Sequence, residues 1–447
     1  MSLAPSTEAA EDQDRAGTGF GGVGAPGVRL LAGPEPGTGA ESLIAHRARL
    51  GDCPDVGVDP KAFLNALEIS GLRGRGGGSF SAAAKMAAAA AGGQGRPLLV
   101  VNASESEPAS AKDATLVGLR PHLVLDGARI LARAAGADEV SLVLHRGNRP
   151  GLQALSRALS ERAGADLDDP KMTLTLGPDR YVAGEASAVV SLLEGGEAKP
   201  RFTRRRPAAL YGVHGRPTLI YNAETTAHAG LLARFGASWF RRAGTTERPG
   251  STLVTLAGAL EWPGRVLEVM APVSMGRLLG AAGLDQPPAA VLVGGYAGVW
   301  LDGATTWELP LSHEALGAAG ASIGCGLLGV LPPNACGLVE TASLVTYLAG
   351  ESAGQCGPCI FGLAELAAVF EALAIGQASR ADLRRLHRRA LGIEGRGACR
   401  HPDGVVGLVQ SALRVFAPDV RRHLKGRSCG AVGGPIFPIP PTTVGWR

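Results

Sequence analysis

The stretch "GLRGRGGGSF", Gly71–Phe80, decides which kind of nucleotide-binding fold this chain can have. A dinucleotide fingerprint, G-x-G-x-x-G, opens a helix directly after a strand. Here Gly74, Gly76 and Gly77 miss that spacing, and the preceding "DPKAFLNALEISGL" reads as a helix with Phe63, Leu64, Leu67 and Ile69 close to one face. No G-x-x-x-x-G-K-[ST] phosphate loop occurs either. What remains is a loop almost without side chains, flanked by Arg73 and Arg75 and feeding a helix that carries Lys85. Bare backbone N–H groups, a helix N-terminus and nearby cations suit a phosphate or a flat phosphorylated cofactor. A tight turn accounts for the glycines equally well.

Outward from this loop, the chain alternates helix and strand. "SAAAKMAAAAAGG" is helical by propensity, and "RPLLVVNASESEP" is a short buried strand that opens into a polar loop. A helix in "HLVLDGARILARAAG", strands in "EVSLVLHR" and "KMTLTLGP" and a helix in "GEASAVVSLLEGG" follow. This order predicts an open α/β sheet. Next, "STLVTLAGALEWPGRVLEVMAP", "VSMGRLLGAAGL" and "AAVLVGGYAGVWL" give a β-β-α-β pattern, which fits a small β-grasp domain. Four segments with apolar residues at i, i+3 and i+4 close the chain and predict a helical bundle. The expected units are a flexible tail over 1–50, an α/β binding domain over 51–247, a β-grasp domain over 248–335, a helical bundle over 336–425 and a C-terminal tail over 426–447.

Composition narrows the classes. The formal net charge of the 447 residues is only +4, and no basic stripe is interleaved with aromatics, so nucleic acid is not expected as a partner. The least polar run, "ALGAAGASIGCGLLGVLPP", is mostly Gly and Ala and ends in two prolines, so no membrane span is expected. The first residues lack the basic and apolar regions of a signal peptide, which predicts a cytoplasmic protein whose cysteines are ligands or buried thiols rather than disulfides.

Cys356 and Cys359, in "GESAGQCGPCIFG", form a C-x-x-C between the first and second helices of the predicted bundle, and Cys399 lies in the link after the third. In an up-and-down bundle those two links share one end, so the three thiols can converge. Either a [4Fe-4S] cluster, which takes four thiolates, or zinc with His401 as a fourth ligand fits three cysteines. Cys53, Cys325, Cys336 and Cys429 show no such spacing and read as core or surface residues. The loop "VNASESEPASAKD" places polar groups just beyond a strand, at the edge where α/β domains bind ligands.

The order of these pieces, with "YVAGEAS" and "GRPTLIYNAET" between them, resembles the NADH-binding FMN and [4Fe-4S] flavoprotein subunit of respiratory complex I. Related subunits occur in NAD-linked hydrogenases and formate dehydrogenases, and the resemblance runs from about residue 60 to about 425. It implies an α/β FMN-binding domain, a β-grasp (SLBB-like) domain and a C-terminal four-helix bundle with an iron-sulfur site. FMN takes a hydride from NADH in that family and electrons pass singly to the cluster. By the resemblance, Gly74, Arg75, Gly76, Gly77 and Lys85 cradle FMN, and Asn102, Glu105 and Ser106 bind its ring and ribityl chain. Tyr181, Gly184, Glu185, Asn222 and Thr225 close that site, Phe80 and Glu107 face NADH, and Cys356, Cys359 and Cys399 ligate the cluster.

The chain departs from the family pattern at several points. Ala353 stands at the first cluster-ligand position, Ser104 replaces an Asp, Ala186 replaces the second Glu of a Glu pair, and Tyr221 precedes Asn222 in place of a paired Asn. Thr203–Arg206 stands roughly where a Lys-Pro-Pro-Phe stretch flanks the nucleotide, and its arginines suit the extra phosphate of NADPH. The expected function is oxidation of NADH or NADPH on FMN, with electrons leaving through the cluster to a ferredoxin-like or thioredoxin-like iron-sulfur subunit. The eroded positions keep two other readings open: an electron-transfer subunit reduced by a ferredoxin-like partner, and a cofactor-poor scaffold.

Overall fold

The computed structural model describes residues 20–23, 27–34, 37, 39–92, 95–202, 208–427, 429–430, 434–441 and 445–446. The arginines at 204–206 lie outside the described residues. The strands in chain order are β1 Phe20–Val23, β2 Leu98–Asn102, β3 Glu139–His145, β4 Lys171–Gly177, β5 Thr218–Asn222, β6 Thr252–Gly258, β7 Arg265–Val269, β8 Ala290–Val293, β9 Val299–Asp302 and β10 Leu327–Leu331. Four of them form an all-parallel sheet in the order β4-β3-β2-β5. Its central strand is the apolar run Leu98–Val101, buried throughout, as expected for a strand with helices on both faces.

Helices Pro121–Ala135 and Ala223–Phe240 cover one face of that sheet and cross at glycines. A Cβ on Gly127 would come within 1.8 Å of the Thr226 carbonyl oxygen, and one on Gly230 within 3.2 Å of the Gly127 nitrogen. The two backbones therefore touch, which only hydrogen side chains allow. In the helix Pro60–Ser70, Phe63 and Leu67 are buried as the periodicity predicts, but Ile69 is 55% exposed.

The remaining six strands make a mixed sheet in the order β1-β7-β6-β10-β8-β9. Two of its strands escape the sequence pattern. β10 arises within the Gly- and Ala-rich run 315–333 and inserts parallel to β6 and antiparallel to β8. β1 pairs parallel with β7. Helix His401–Val415 packs on β9 of this sheet, and helices Gly337–Gly350, Ala364–Ala374, Arg380–Ile393 and Ala417–His423 gather with it into one helical layer. The fully buried Trp300 joins the layers: its indole donates to Thr341 Oγ1 at 3.0 Å and its backbone N–H to Ser411 Oγ at 3.0 Å.

Both expected tails need correction. Residues 27–34 and 39–50 are built into the fold: Leu30 and Leu31 are buried, and Leu43–Leu50 is a helix. The backbone N–H groups of Arg29, Leu30 and Leu31 all donate to the buried Glu268 carboxylate, at 2.8, 2.9 and 3.1 Å. That carboxylate also accepts the Ser251 hydroxyl at 2.5 Å. At the other end, Phe437 is buried, its N–H and that of Ile436 donate to Glu340, and the Trp446 carbonyl accepts the Ala198 N–H. The sequence-distant partner explains both misses, because a segment without periodicity of its own is ordered by a carboxylate far along the chain.

Glu268→Ala leaves three buried N–H groups without an acceptor, so it should cost about 3 kcal/mol or more. A lowered urea midpoint and faster proteolysis within residues 27–42 are the expected readouts; an unchanged midpoint would rule out this anchor.

Candidate functional site

The chain runs β2, β3, β4 outward in one direction and adds β5 on the other side of β2, so the strand order reverses between β2 and β5. In open α/β sheets, ligands bind beyond the carboxyl ends of strands at such a reversal. Here Asn102 and Asn222 end the two strands side by side, in register.

The glycine loop hangs over this point. Its base is closed by Gly74 N–H to the Phe80 carbonyl at 2.8 Å and by Arg73 Nε to the Ser79 carbonyl at 3.0 Å. The Arg75 N–H donates to Thr225 Oγ1 at 2.9 Å, and its guanidinium reaches the Pro249 carbonyl at 2.8 Å. A Cβ on Gly76 would stand 3.2 Å from the Asn222 Cβ, and Gly77 has φ +91°, so bare backbone is required where the loop meets the strand end. The Arg75 Nε is buried without a hydrogen-bond partner. Lys85 donates to the Ile220 carbonyl at 2.7 Å beside the Tyr221 ring, and burial draws its ammonium down to about 8.

Behind the loop lies a buried ionic network. Lys112 Nζ meets Asp113 at 2.8 Å and Glu224 at 3.0 Å, and Asn222 Nδ2 donates to Asp113 at 2.6 Å. Burial opposes the Lys112 charge, yet the adjacent carboxylates of Asp113 and Glu224 hold its pKa well above the ordinary lysine value. The Asn222 side chain also caps helix Ala223–Phe240 by accepting the Glu224 N–H at 3.0 Å.

Several sequence-selected residues have a structural task visible here. Glu105 accepts the Ser110 hydroxyl at 2.5 Å and the N–H groups of Asp113 and Ala114 at 3.2 and 3.0 Å, capping a helix, Lys112–Leu119, that has no side-chain cap of its own. Glu185 caps helix Ala186–Leu193 through Ser187 and Ala188. Asn102 Nδ2 donates to the Gly184 carbonyl at 2.8 Å, and a Cβ on Gly184 would come within 3.1 Å of Ser106 Oγ. Phe80, 71% exposed, stands free at the rim. Glu107 instead points inward: one oxygen accepts the Tyr181 hydroxyl at 3.1 Å and the Tyr296 N–H at 2.9 Å, while the other is buried without a partner. Burial pushes its carboxyl up to about 8.

The three predicted thiols do come to one end of the helical region. Cys356 precedes a π-helical turn, Pro358–Leu363, that contains Cys359, and Cys399 leads into helix His401–Val415. Burial, with a smaller contribution from the nearby Cys356, pushes the Cys359 and Cys399 thiols up to about 12 and about 11. Cys356 and Cys359 are in contact, but the three sulfurs do not all lie within 4.8 Å of one another; among the described residues the Cys, His, Asp and Glu trio that does is Cys336, His423 and Cys429. Such a spread suits a polynuclear cluster, where each thiolate binds its own iron. His401 Nε2 donates to the Leu348 carbonyl at 2.8 Å and its Nδ1 is buried without a partner, but among the described residues His401 does not fall within 4.8 Å of a pair of thiols as a mononuclear zinc site requires. Glu351 is committed to the Tyr181 N–H at 2.8 Å and to Arg180 at 3.0 Å, and Ala353 offers no donor atom. The Ser352 hydroxyl lies against the Cys359 sulfur.

The segment Arg180–Glu185 ties the two places together. Gly184 sits on Asn102, Arg180 donates to the Gly350 carbonyl at 3.0 Å, and the Tyr181 ring packs edge-on against Tyr347 and 5.5 Å from His401. The negative charge of Glu185 is felt by Cys399. One short turn therefore separates the strand-end pocket from the thiols.

The Glu107 carboxyl keeps its proton to about pH 8 in the folded chain, whereas an unfolded glutamate loses it near about 4.3. The folded state holds the extra proton between those values, so stability falls as pH rises through the window. Glu107→Gln should flatten that slope by up to about 1.4 kcal/mol per pH unit, read by urea unfolding of the flavin-free chain. Equal slopes in both proteins would show that Glu107 does not titrate there.

Comparison with known proteins agrees with this geometry. Residues 67–230 match the Nuo51 FMN-binding domain, and residues 340–423 match the NADH-ubiquinone oxidoreductase-F iron-sulfur binding region. The F subunit of NADH-quinone oxidoreductase from Mycobacterium tuberculosis is 30% identical over 393 residues, covering 83% of this chain and 86% of that protein. Its namesake from Streptomyces coelicolor is 30% identical over 395 residues, covering 84% and 85%. Among solved structures, the NAD+-reducing [NiFe]-hydrogenase in the H2-reduced state superposes with a TM-score of 0.76 at 28% identity, over 87% of this chain and 68% of that one. With the glycine loop and strand-end asparagines inside the first matched region and the C-x-x-C and Cys399 inside the second, the chain belongs to the family of NADH-quinone oxidoreductase F subunits.

Proposed function

We propose that this chain is the NADH-oxidising, electron-transferring subunit of a larger complex, with FMN over the ends of β2 and β5 and a [4Fe-4S] cluster on Cys356, Cys359 and Cys399. The observation that carries this reading is the Arg180–Glu185 segment, which contacts the strand-end pocket through Gly184 and the cysteine-bearing helices through Arg180 and Tyr181. FMN when bound supplies acceptance of a hydride and release of single electrons, which cluster chemistry requires.

The chain's own residues fit the group. The loop Gly74–Gly77 offers side-chain-free backbone, and Lys85 adds a cation beside the loop. Asn102, Ser106 and Gly184 line the ring and ribityl side, with Tyr181, Glu185, Asn222 and Thr225 closing it. Glu105 acts there by holding helix Lys112–Leu119 in place. Phe80 supplies an exposed aromatic face for the nicotinamide. Glu107 reaches the nucleotide only by turning its unpartnered oxygen outward. Ser352, already against Cys359, is the residue best placed to serve the position that Ala353 vacates.

Under this reading residues 51–247 form the FMN domain, 248–335 a β-grasp SLBB-like domain and 336–425 a four-helix iron-sulfur bundle. Electrons leave to a ferredoxin-like or thioredoxin-like iron-sulfur subunit. We place the chain in the cytoplasm, peripheral to a membrane complex; no described helix is long and apolar enough to cross a membrane.

Anaerobically purified chain should carry FMN whose absorbance bleaches on adding NADH, and Cys356→Ser should lose the reduced-cluster EPR signal while keeping the flavin. Bleaching by reduced ferredoxin but by neither NADH nor NADPH would replace nucleotide oxidation with partner-driven electron transfer. Lys85→Met should weaken flavin retention about 10- to 100-fold, the worth of one charge-assisted hydrogen bond, with circular dichroism unchanged. Full flavin occupancy in that variant would remove Lys85 from the cradle.

A further inference from the structure

We infer that Cys336, His423 and Cys429 form a separate mononuclear metal site, of the chemistry that takes zinc, at the end of the helical region away from the cluster thiols. The three ligand atoms lie within 4.8 Å of one another. Cys336 Sγ and His423 Nε2 are 3.9 Å apart, close to the roughly 3.6 Å between a sulfur and a nitrogen on one tetrahedral zinc. No rotation of an element is needed to bring them to an ion.

The histidine is already set as a ligand. Its Nδ1 lies 3.0 Å from the Leu373 carbonyl oxygen, which can only accept, so Nδ1 carries the hydrogen and the Nε2 lone pair faces Cys336. Such a carbonyl behind the ring is the usual orienting partner of a metal-bound imidazole. Cys336 stands at the N-terminus of helix Gly337–Gly350, with the N–H groups of Leu338 and Val339 turned toward its sulfur. Cys429 is held by its own carbonyl, which accepts Arg422 Nη1 at 3.2 Å.

This site is not the cluster site. Cys336 precedes helix Gly337–Gly350 and Cys356 follows it, so about 21 Å of helix axis separates them. Cys336 and Cys429 therefore cannot supply the cluster's missing thiolate. Zinc has no accessible redox change, so an ion here stands outside the electron path. It would join the start of one helix, the end of helix Ala417–His423 and the C-terminal segment that runs on to Glu340 through Ile436 and Phe437. Three protein ligands leave the fourth position to water.

Elemental analysis of the full chain, purified anaerobically, should find about one zinc per chain beside the iron. Cys429→Ser and His423→Gln should each lose that zinc and keep flavin and iron. Cys356→Ser should lose iron and keep zinc. Cobalt exchanged into the wild-type chain should show thiolate charge-transfer and tetrahedral d–d bands that the Cys429→Ser variant lacks. The inference is overturned by zinc-free wild-type protein that gives no such cobalt bands, by zinc that persists in both Cys429→Ser and His423→Gln, or by a Cys336–Cys429 disulfide in the anaerobic protein.

Discussion

The buried Glu224 carboxylate is the interaction on which the binding end of this molecule depends. One oxygen meets Lys112 at 3.0 Å; the other accepts the Leu253 N–H of β6 at 2.9 Å and lies 3.9 Å from Arg75. Through those contacts the glycine loop, the helix after Glu105, the end of β5 and the second sheet share one point. A carboxylate and an ammonium taken out of water together are costly, and removing one partner is costlier than removing both. Separating Lys112 from Glu224 would therefore leave a buried charge poorly compensated, and moving β6 away would leave the Leu253 N–H without its acceptor.

From that point the path to the thiols is short and mostly backbone. Arg180 and Glu351 pair at 3.0 Å inside the protein, and the same glutamate accepts the Tyr181 N–H. The ion pair thus fastens the turn carrying Gly184 to the helix end that leads to Cys356. Burial raises the Cys359 and Cys399 thiols, so any metal taken up on them must displace their protons. Phe361, 67% exposed beside those cysteines, keeps apolar surface at the same end.

Legibility varied with the range of the interaction. Three of the parallel strands, β2, β3 and β4, were readable because each is a short strand-forming run bounded by turn residues, and so was the C-x-x-C because its ligands are near in sequence; β5 was not read as a strand. β10 was not, since its Gly and Ala neighbours carry no alternation and it forms by inserting between β6 and β8. Leu30 and Leu31 were hidden in a segment whose partner, Glu268, lies far along the chain. Glu105 and Glu185 were marked by the family pattern as binding groups, and their backbone contacts show helix caps. Cys336, His423 and Cys429 share no spacing rule, and only the packing of helix Ala417–His423 on the start of helix Gly337–Gly350 brings them together.

What the sequence by itself determined was the kind of each piece: a side-chain-free loop before a helix, a buried strand opening into a polar loop, and three cysteines at helix ends. These follow from local chemistry, in which a residue type limits its own backbone and near neighbours. Tertiary structure alone decided the direction in which Glu107 points, the order imposed on residues 27–34 and 434–437, and the meeting of Cys336, His423 and Cys429. Each of those is set by burial and by partners distant in sequence, where the cost of an unpaired buried group selects one arrangement.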